Sequence, residues 1–336
     1  MASRDQANRI LLPQKISQAE AKVQALRATF KMNPSEYYRH DRVPKSKVAV
    51  NSELEWEEKR LADLKAIRST LEENDKLRGS KPHTPKRGLV YMDDSKKDDR
   101  VKVAISTGDV DHAKHVSTIL PGMNNVPSED IGDHVKNAER VRQHSIRNAK
   151  ISSEQVATIA WMYDTPQGGQ VVSSKYATKA SHEIGSALEG MHASRHTNGI
   201  ERAHTSLLGH SYGSTTAGKV AKMIRKGVLD DLVMYGSPGA GARDTREYNL
   251  DHDRPYVSGI KSDDAVKGKG TLNSKFGNNP MFMPGVKHLA NNSERDRLFF
   301  IPWKMFDRHS EYLEEGTSSL EDISRVVTKV PVKGER

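Results

Sequence analysis

The 336-residue sequence contains no cysteine. A disulfide scaffold, thiolate metal sites and a cysteine nucleophile are therefore all excluded. Aromatic residues make up only 6% of the chain and its basic residues are interspersed with acidic ones, so no stacking platform for nucleic acid is visible. No run of 18 apolar residues occurs, which excludes a transmembrane helix by hydropathy. The opening MASRDQANRILLPQK also lacks the apolar stretch of a cleaved leader. A cytoplasmic or virion-associated location is the expectation, with no metal and no organic cofactor.

What is present is charge. The formal net charge is +9, with 29% charged residues against 35% hydrophobic ones. The first 90 residues hold 19 of the 53 basic residues and only 12 of the 44 acidic ones, so the basic excess belongs to the amino-terminal region. A solvated helical face is the plainer reading of that excess. An anionic partner such as nucleic acid, teichoic acid or a membrane surface is the sharper one, with nucleic acid ranked low. The length suits one large domain with an appendage.

The hydrophobic periods divide the chain accordingly. Residues 9–31 carry an apolar stripe at Ile16, Ala19, Val23, Leu26 and Phe30, spaced as one face of a helix. A second helix is expected from about Ser52 to Asn74, striped by Leu54, Leu61, Leu64, Ile67 and Leu71, with Ser52 as N-cap and Glu55 completing a capping box. Together they suggest a basic helical hairpin over 1–80, with too little core to stand alone. GSKPHTPKRG breaks the pattern, and 81–87 reads as a linker. From 88 to 336 the rhythm is that of an α/β domain. RGLVYMDD and RVKVAIST form an antiparallel hairpin. HVSTILPG, QVATIAWMYD, AHTSLLGHS, DDLVMYGSPG and RPYVSGIKSDD are apolar strands alternating with helices near 129–148, 173–193 and 212–226. SSLEDISRVVTK closes the chain. Continuous apolar strands between helices predict a mostly parallel sheet covered on both faces.

Within this frame, Gly209-His210-Ser211-Tyr212-Gly213 matches G-x-S-x-G. Five residues alone are a weak signal. The context strengthens it, because an apolar strand runs straight into a helix whose first turns carry small side chains, Ser214, Ala217 and Gly218 among them. A serine on such a bend needs a base, and the base an orienting acid, in the chain order Ser, Asp or Glu, His. After Ser211 the acid falls to SDDAV, where Asp264 is favoured over Asp263. The base falls to His309, in FDRHSEYL before the last helix. His288, in PGVKHLANN, reads as a surface-loop histidine. Two backbone amides are needed for an oxyanion: Tyr212 after the nucleophile, and Met123 in the Leu120-Pro121-Gly122-Met123-Asn124 loop after the third strand.

These segments resemble the α/β-hydrolases abundant in actinobacteria and their phages, long catalogued as a domain of unknown function. RDQANR, STGDVDHAKHVSTILPGMNN, VATIAWMYDTP, GHSYGS, LVMYGSPGAG, SDDAV and HSEY carry the resemblance, which spans most of residues 4–329. In VATIAWMYDTP the extra glycine usual before the tyrosine is missing, and the stretch GKGTLNSKFGNNPMFMPGVKHLANNSERDR departs from the family pattern. The resemblance implies an α/β-hydrolase fold with Ser211, Asp264 and His309 as triad and no particular substrate. The leading expectation is a serine esterase or related acyl hydrolase acting on an acyl ester. An acyltransferase would use the same residues. A binding or structural role on a hydrolase scaffold, such as a phage virion component, is the competing class, favoured by the basic hairpin.

Overall fold

The computed structural model describes residues 2–31, 45–251, 253–259, 275–290 and 307–333. Two long helices open the chain, α1 (Ala2–Lys31) and α2 (Lys45–Ser80). An eight-stranded sheet follows: β1 (Arg87–Asp93), β2 (Lys102–Thr107), β3 (His115–Leu120), β4 (Val156–Met162), β5 (His204–His210), β6 (Asp231–Tyr235), β7 (Pro255–Ser258) and β8 (Lys287–His288). Between the strands run α3 (Pro127–Ala149), α4 (Lys175–Thr197) and α5 (Tyr212–Met223), with α6 (Ser318–Val327) near the end.

The spatial order is β1-β2-β4-β3-β5-β6-β7-β8. β1 pairs antiparallel with β2, and β2 antiparallel with β4; every other pairing is parallel. All residues of β4 and β6 are buried, as two covered faces require. Alternation along β4 sends Ala157, Ile159 and Trp161 to one core with Ile184 and Leu188 of α4 and Val220 of α5. Ala160 and Met162 point to the other core, beside Val135 and Val141 of α3 and Ile323 of α6. Leu12, Ile16 and Ala19 of α1 and Leu64, Ile67 and Leu71 of α2 join this second core, so the two opening helices lean on the sheet for their burial. Among the described residues no helix is long and apolar enough to cross a membrane.

The RDQANR segment covers the edge of the sheet. The Asp5 carboxylate accepts from the Leu89 amide at 2.7 Å, Asn8 donates to the Leu89 carbonyl at 2.8 Å, and Arg9 donates to the Arg87 carbonyl at 2.7 Å. An outer strand that would otherwise present free backbone groups is thus occupied by side chains of α1.

Three sequence expectations are corrected. α1 begins at Ala2 rather than residue 9, because its first turns are held by these polar contacts and carry no apolar stripe. α2 is already helical at Lys45, which puts Ser52 inside the helix instead of at its cap. His288 is half-buried in β8, whose backbone pairs with β7, and is not a surface-loop residue.

Candidate active site

The sheet order reverses at β3, which lies between β4 and β5. In open α/β sheets such a reversal is where the loops leaving the carboxyl ends of adjacent strands part and ligands bind. β3 and β5 are in register with Leu120 opposite Gly209, so the loop after β3 and the bend after β5 start side by side.

Ser211 occupies that bend with φ 49° and ψ −122°, a backbone conformation costly for any residue but glycine. The surroundings enforce it. The Ser211 amide donates to the Tyr235 carbonyl at 2.9 Å, and the Ser214 hydroxyl donates to the Ser211 carbonyl at 2.6 Å. The flanking glycines have no room for side chains. A Cβ on Gly209 would lie 2.5 Å from the Gly213 carbonyl oxygen, and one on Gly213 would lie 2.5 Å from that of Pro121. Farther along α5, a Cβ on Gly218 would overlap the Ala240 carbonyl, so the helix seats hard against the sheet edge. Ser211 itself is 8% exposed, at the amino terminus of α5 where helix amides favour negative charge.

The loop after β3 passes directly over this serine. An ideal Cβ on Gly122 would stand 3.1 Å from the Ser211 Cβ. The next amide, that of Met123, and the Tyr212 amide have no hydrogen-bond acceptor among the described residues. Both expected oxyanion donors are therefore uncommitted beside one serine. The loop is pinned from the β4 side. Tyr163 donates its hydroxyl to the Pro121 carbonyl at 3.2 Å, Thr165 donates to the Asn125 carbonyl at 2.8 Å, and the Asn124 amide donates to the Pro166 carbonyl at 3.0 Å. Asn124 takes a φ of 60°, and its side-chain oxygen accepts from the Gly168 amide at 2.8 Å. Burial holds the Tyr163 phenol well above its ordinary range, so at neutral pH it is a hydrogen-bond donor. Burial also pushes the Tyr212 phenol up to about 12; its hydroxyl donates to the Ser173 carbonyl at 2.6 Å and fixes the start of α4.

His309 lies in a 3-10 segment, Asp307–Leu313, and the structure brings it to the same end of the sheet. The His210 Nε2 donates to the His309 carbonyl at 2.6 Å, and the two imidazoles stand 4.8 Å apart between centroids. His210 also stacks on Tyr235 at 5.2 Å. Three elements fix the segment from behind. Tyr312 is buried and packs on the Tyr235 ring at 5.7 Å, Ser319 of α6 donates to the Tyr312 carbonyl, and Arg140 of α3 pairs with Glu314 at 2.9 Å. Ser211 and the loop carrying Met123 thus lie against each other, and His309 reaches the same end of the sheet through His210, the residue before Ser211. Asp263 and Asp264 lie outside the described residues.

Tyr163 and the positioning contact of His210 are not singled out by sequence reasoning. The only hint is the Pro-Gly-Met-Asn-Asn run, whose asparagine tolerates a left-handed backbone. A second Ser/His/Asp set exists at the opposite end of the strands, where His204 Nε2 lies 2.5 Å and Ser206 Oγ 3.3 Å from Asp231. All three are sealed in the interior and have no access to a substrate.

The profile of the α/β-hydrolase family matches residues 96–274, just over half of the sequence, and the chain belongs to that family. An uncharacterized protein of Mycobacterium bovis is 28% identical over 242 residues, covering 70% of this chain and 84% of that protein. One of Mycobacterium tuberculosis is 32% identical over 184 residues, covering 52% of this chain and 26% of that protein. Among solved structures, a dienelactone hydrolase from Anabaena variabilis has 12% identity and a TM-score of 0.39, over 74% of this chain and 97% of that one. An esterase from Pyrobaculum calidifontis has 13% identity and a TM-score of 0.40, over 79% and 93%.

Proposed function

We propose that this chain is a serine hydrolase that cleaves a carboxylic ester through an acyl-enzyme. The observation that supports the reading is Ser211 held at a positive φ with the loop after β3 against it, while the Met123 and Tyr212 amides have no acceptor among the described residues. A side chain is kept in such a conformation only where the surrounding structure over-determines it, and such strain gathers at reactive sites.

In this reading the Ser211 Oγ attacks the ester carbonyl while the His309 imidazole takes its proton. Asp264, with Asp263 as the alternative, orients the imidazole and balances its charge. The carbonyl oxygen becomes an oxyanion and accepts from the Met123 and Tyr212 amides; each such donor is worth roughly 3–4 kcal/mol in the transition state. The tetrahedral intermediate collapses, the alkoxide leaves with the proton from His309, and the acyl group stays on Ser211. Water, deprotonated by the same imidazole, repeats the addition and releases the carboxylic acid. No metal or organic cofactor enters any step.

A panel of nitrophenyl esters of graded acyl length tests the proposal. Turnover of at least one ester that disappears in Ser211→Ala and in His309→Ala supports it. Turnover that persists in both variants refutes it, and so does a well-folded wild type inert to the entire panel.

A further inference from the structure

A cavity of about 220 Å³ lies at the other end of the sheet from Ser211. It is bounded by the carboxyl end of α4 and the first residues of β3 and β5. Thr205 lines it, and Ser211 is six residues further along the chain, a distance of about 20 Å at the rise of an extended strand. The cavity is therefore distinct from the surroundings of Ser211.

Its walls have a divided chemistry. Val110, Val116, Leu188, Met191 and Val228 supply a continuous aliphatic surface. Arg195, Arg202, His192 and His196 supply the nitrogen-bearing side chains, and no carboxylate lines the cavity. Arg195 is the informative member. The residue is 8% exposed, and its guanidinium donates to the carbonyls of Glu201, Val110 and Ala113 at 2.7–2.9 Å. Those three bonds leave two of its five N–H donors unspent. Among the described residues it makes no ion pair. The carboxylates whose charge reaches it, Asp109 and Asp111, are outside the cavity wall and are engaged by His112 and by the Ala2 amide. Arg202, by contrast, is matched by Asp230 at 2.7 Å. A buried cation without a counterion beside an aliphatic hollow is unfavourable when empty and is completed by an amphipathic anion.

We infer that this cavity is a binding site for a small carboxylate with an aliphatic tail, the tail against the valine, leucine and methionine walls and the carboxylate at Arg195. A 150 Å³ apolar cavity holds a benzene ring, so this volume accommodates on the order of nine non-hydrogen atoms. Octanoate is a probe of about that size. The inference does not depend on the esterase reading.

Isothermal titration of the full chain with octanoate and with octan-1-ol tests it. Octanoate is expected to bind with a Kd of about 1 mM or tighter and about tenfold or more tighter than the alcohol, since one charge-assisted hydrogen bond accounts for that ratio. Arg195 also clamps two loops, so its own removal risks unfolding. Met191→Trp, which fills the cavity from a half-buried wall, provides the second variant and is expected to abolish binding. Ser211→Ala is expected to bind octanoate as the wild type does. Equal affinity for acid and alcohol, absence of octanoate binding, or binding that survives Met191→Trp overturns the inference. An inert ester panel bears only on the esterase reading.

Discussion

Replacing Asp164 by asparagine should stabilise the protein at high pH and leave it nearly unchanged at low pH. Asp164 follows β4 and is 9% exposed. It is carried inside because its neighbours are tied down: Tyr163 and Thr165 hold the carbonyls of Pro121 and Asn125 in the loop over Ser211. Burial, and then the nearby carboxylates of Asp98 and Asp99, push its carboxyl up to about 7, against a partial pull from Lys179 and the Asp99 amide. A folded-state value above the unfolded one means that the ionised form is disfavoured in the native protein. Stability is therefore lost as pH rises from about 4 to about 7 and is level above that. The displacement from 3.8 to about 7 corresponds to at most about 4 kcal/mol, of which roughly 2–3 kcal/mol develops between pH 5 and pH 8. Asparagine is isosteric, keeps an acceptor for the Asp99 amide, and does not ionise. Urea unfolding of both proteins across this range measures the difference directly. A stability gain for Asp164→Asn that grows with pH supports the reasoning. A gain that is constant from pH 5 to pH 8, or one that shrinks as pH rises, refutes it.

Two further substitutions probe the bend. Gly213→Ala places a methyl group 2.5 Å from the Pro121 carbonyl oxygen and 2.8 Å from that of Leu120, so it should cost about 1–3 kcal/mol in urea unfolding and slow ester turnover by displacing the Met123 amide. Unchanged turnover would show that the loop after β3 takes no part. His210→Phe keeps a ring against Tyr235 but loses the donor to the His309 carbonyl, whereas His210→Gln restores an N–H near that point. Turnover should fall at least about tenfold in the phenylalanine variant and recover in part in the glutamine one, consistent with loss of a buried hydrogen bond; equal activities would remove His210 from the positioning of His309.

The parts of this architecture that announce themselves in the sequence are those whose residues face a single kind of neighbour. β4 and β6 are apolar throughout because both faces of each are covered, and that composition alone points to a parallel sheet. The glycines at 209 and 213 are visible because backbone stands where a side chain would be. The start of α1 is not visible, since Asp5, Asn8 and Arg9 are ordered by β1, more than 75 residues away in sequence. For the same reason the sequence offers no sign that Tyr163 supports the loop over Ser211, or that His210 holds the His309 segment: the first contact joins the ends of β4 and β3, neighbours only through the sheet order, and the second joins β5 to a 3-10 segment 99 residues on. The choice between Asp263 and Asp264 rests on sequence alone, as these residues lie outside the described ones.

The most direct test of the account is covalent. Incubation with a fluorophosphonate, followed by mass spectrometry of the digested protein, should find a single phosphonylated residue at Ser211, formed quickly in the wild type and at a rate reduced by at least about a thousandfold in His309→Ala, as expected when a serine loses its base. Modification at another residue, or equal rates in the two proteins, would contradict it.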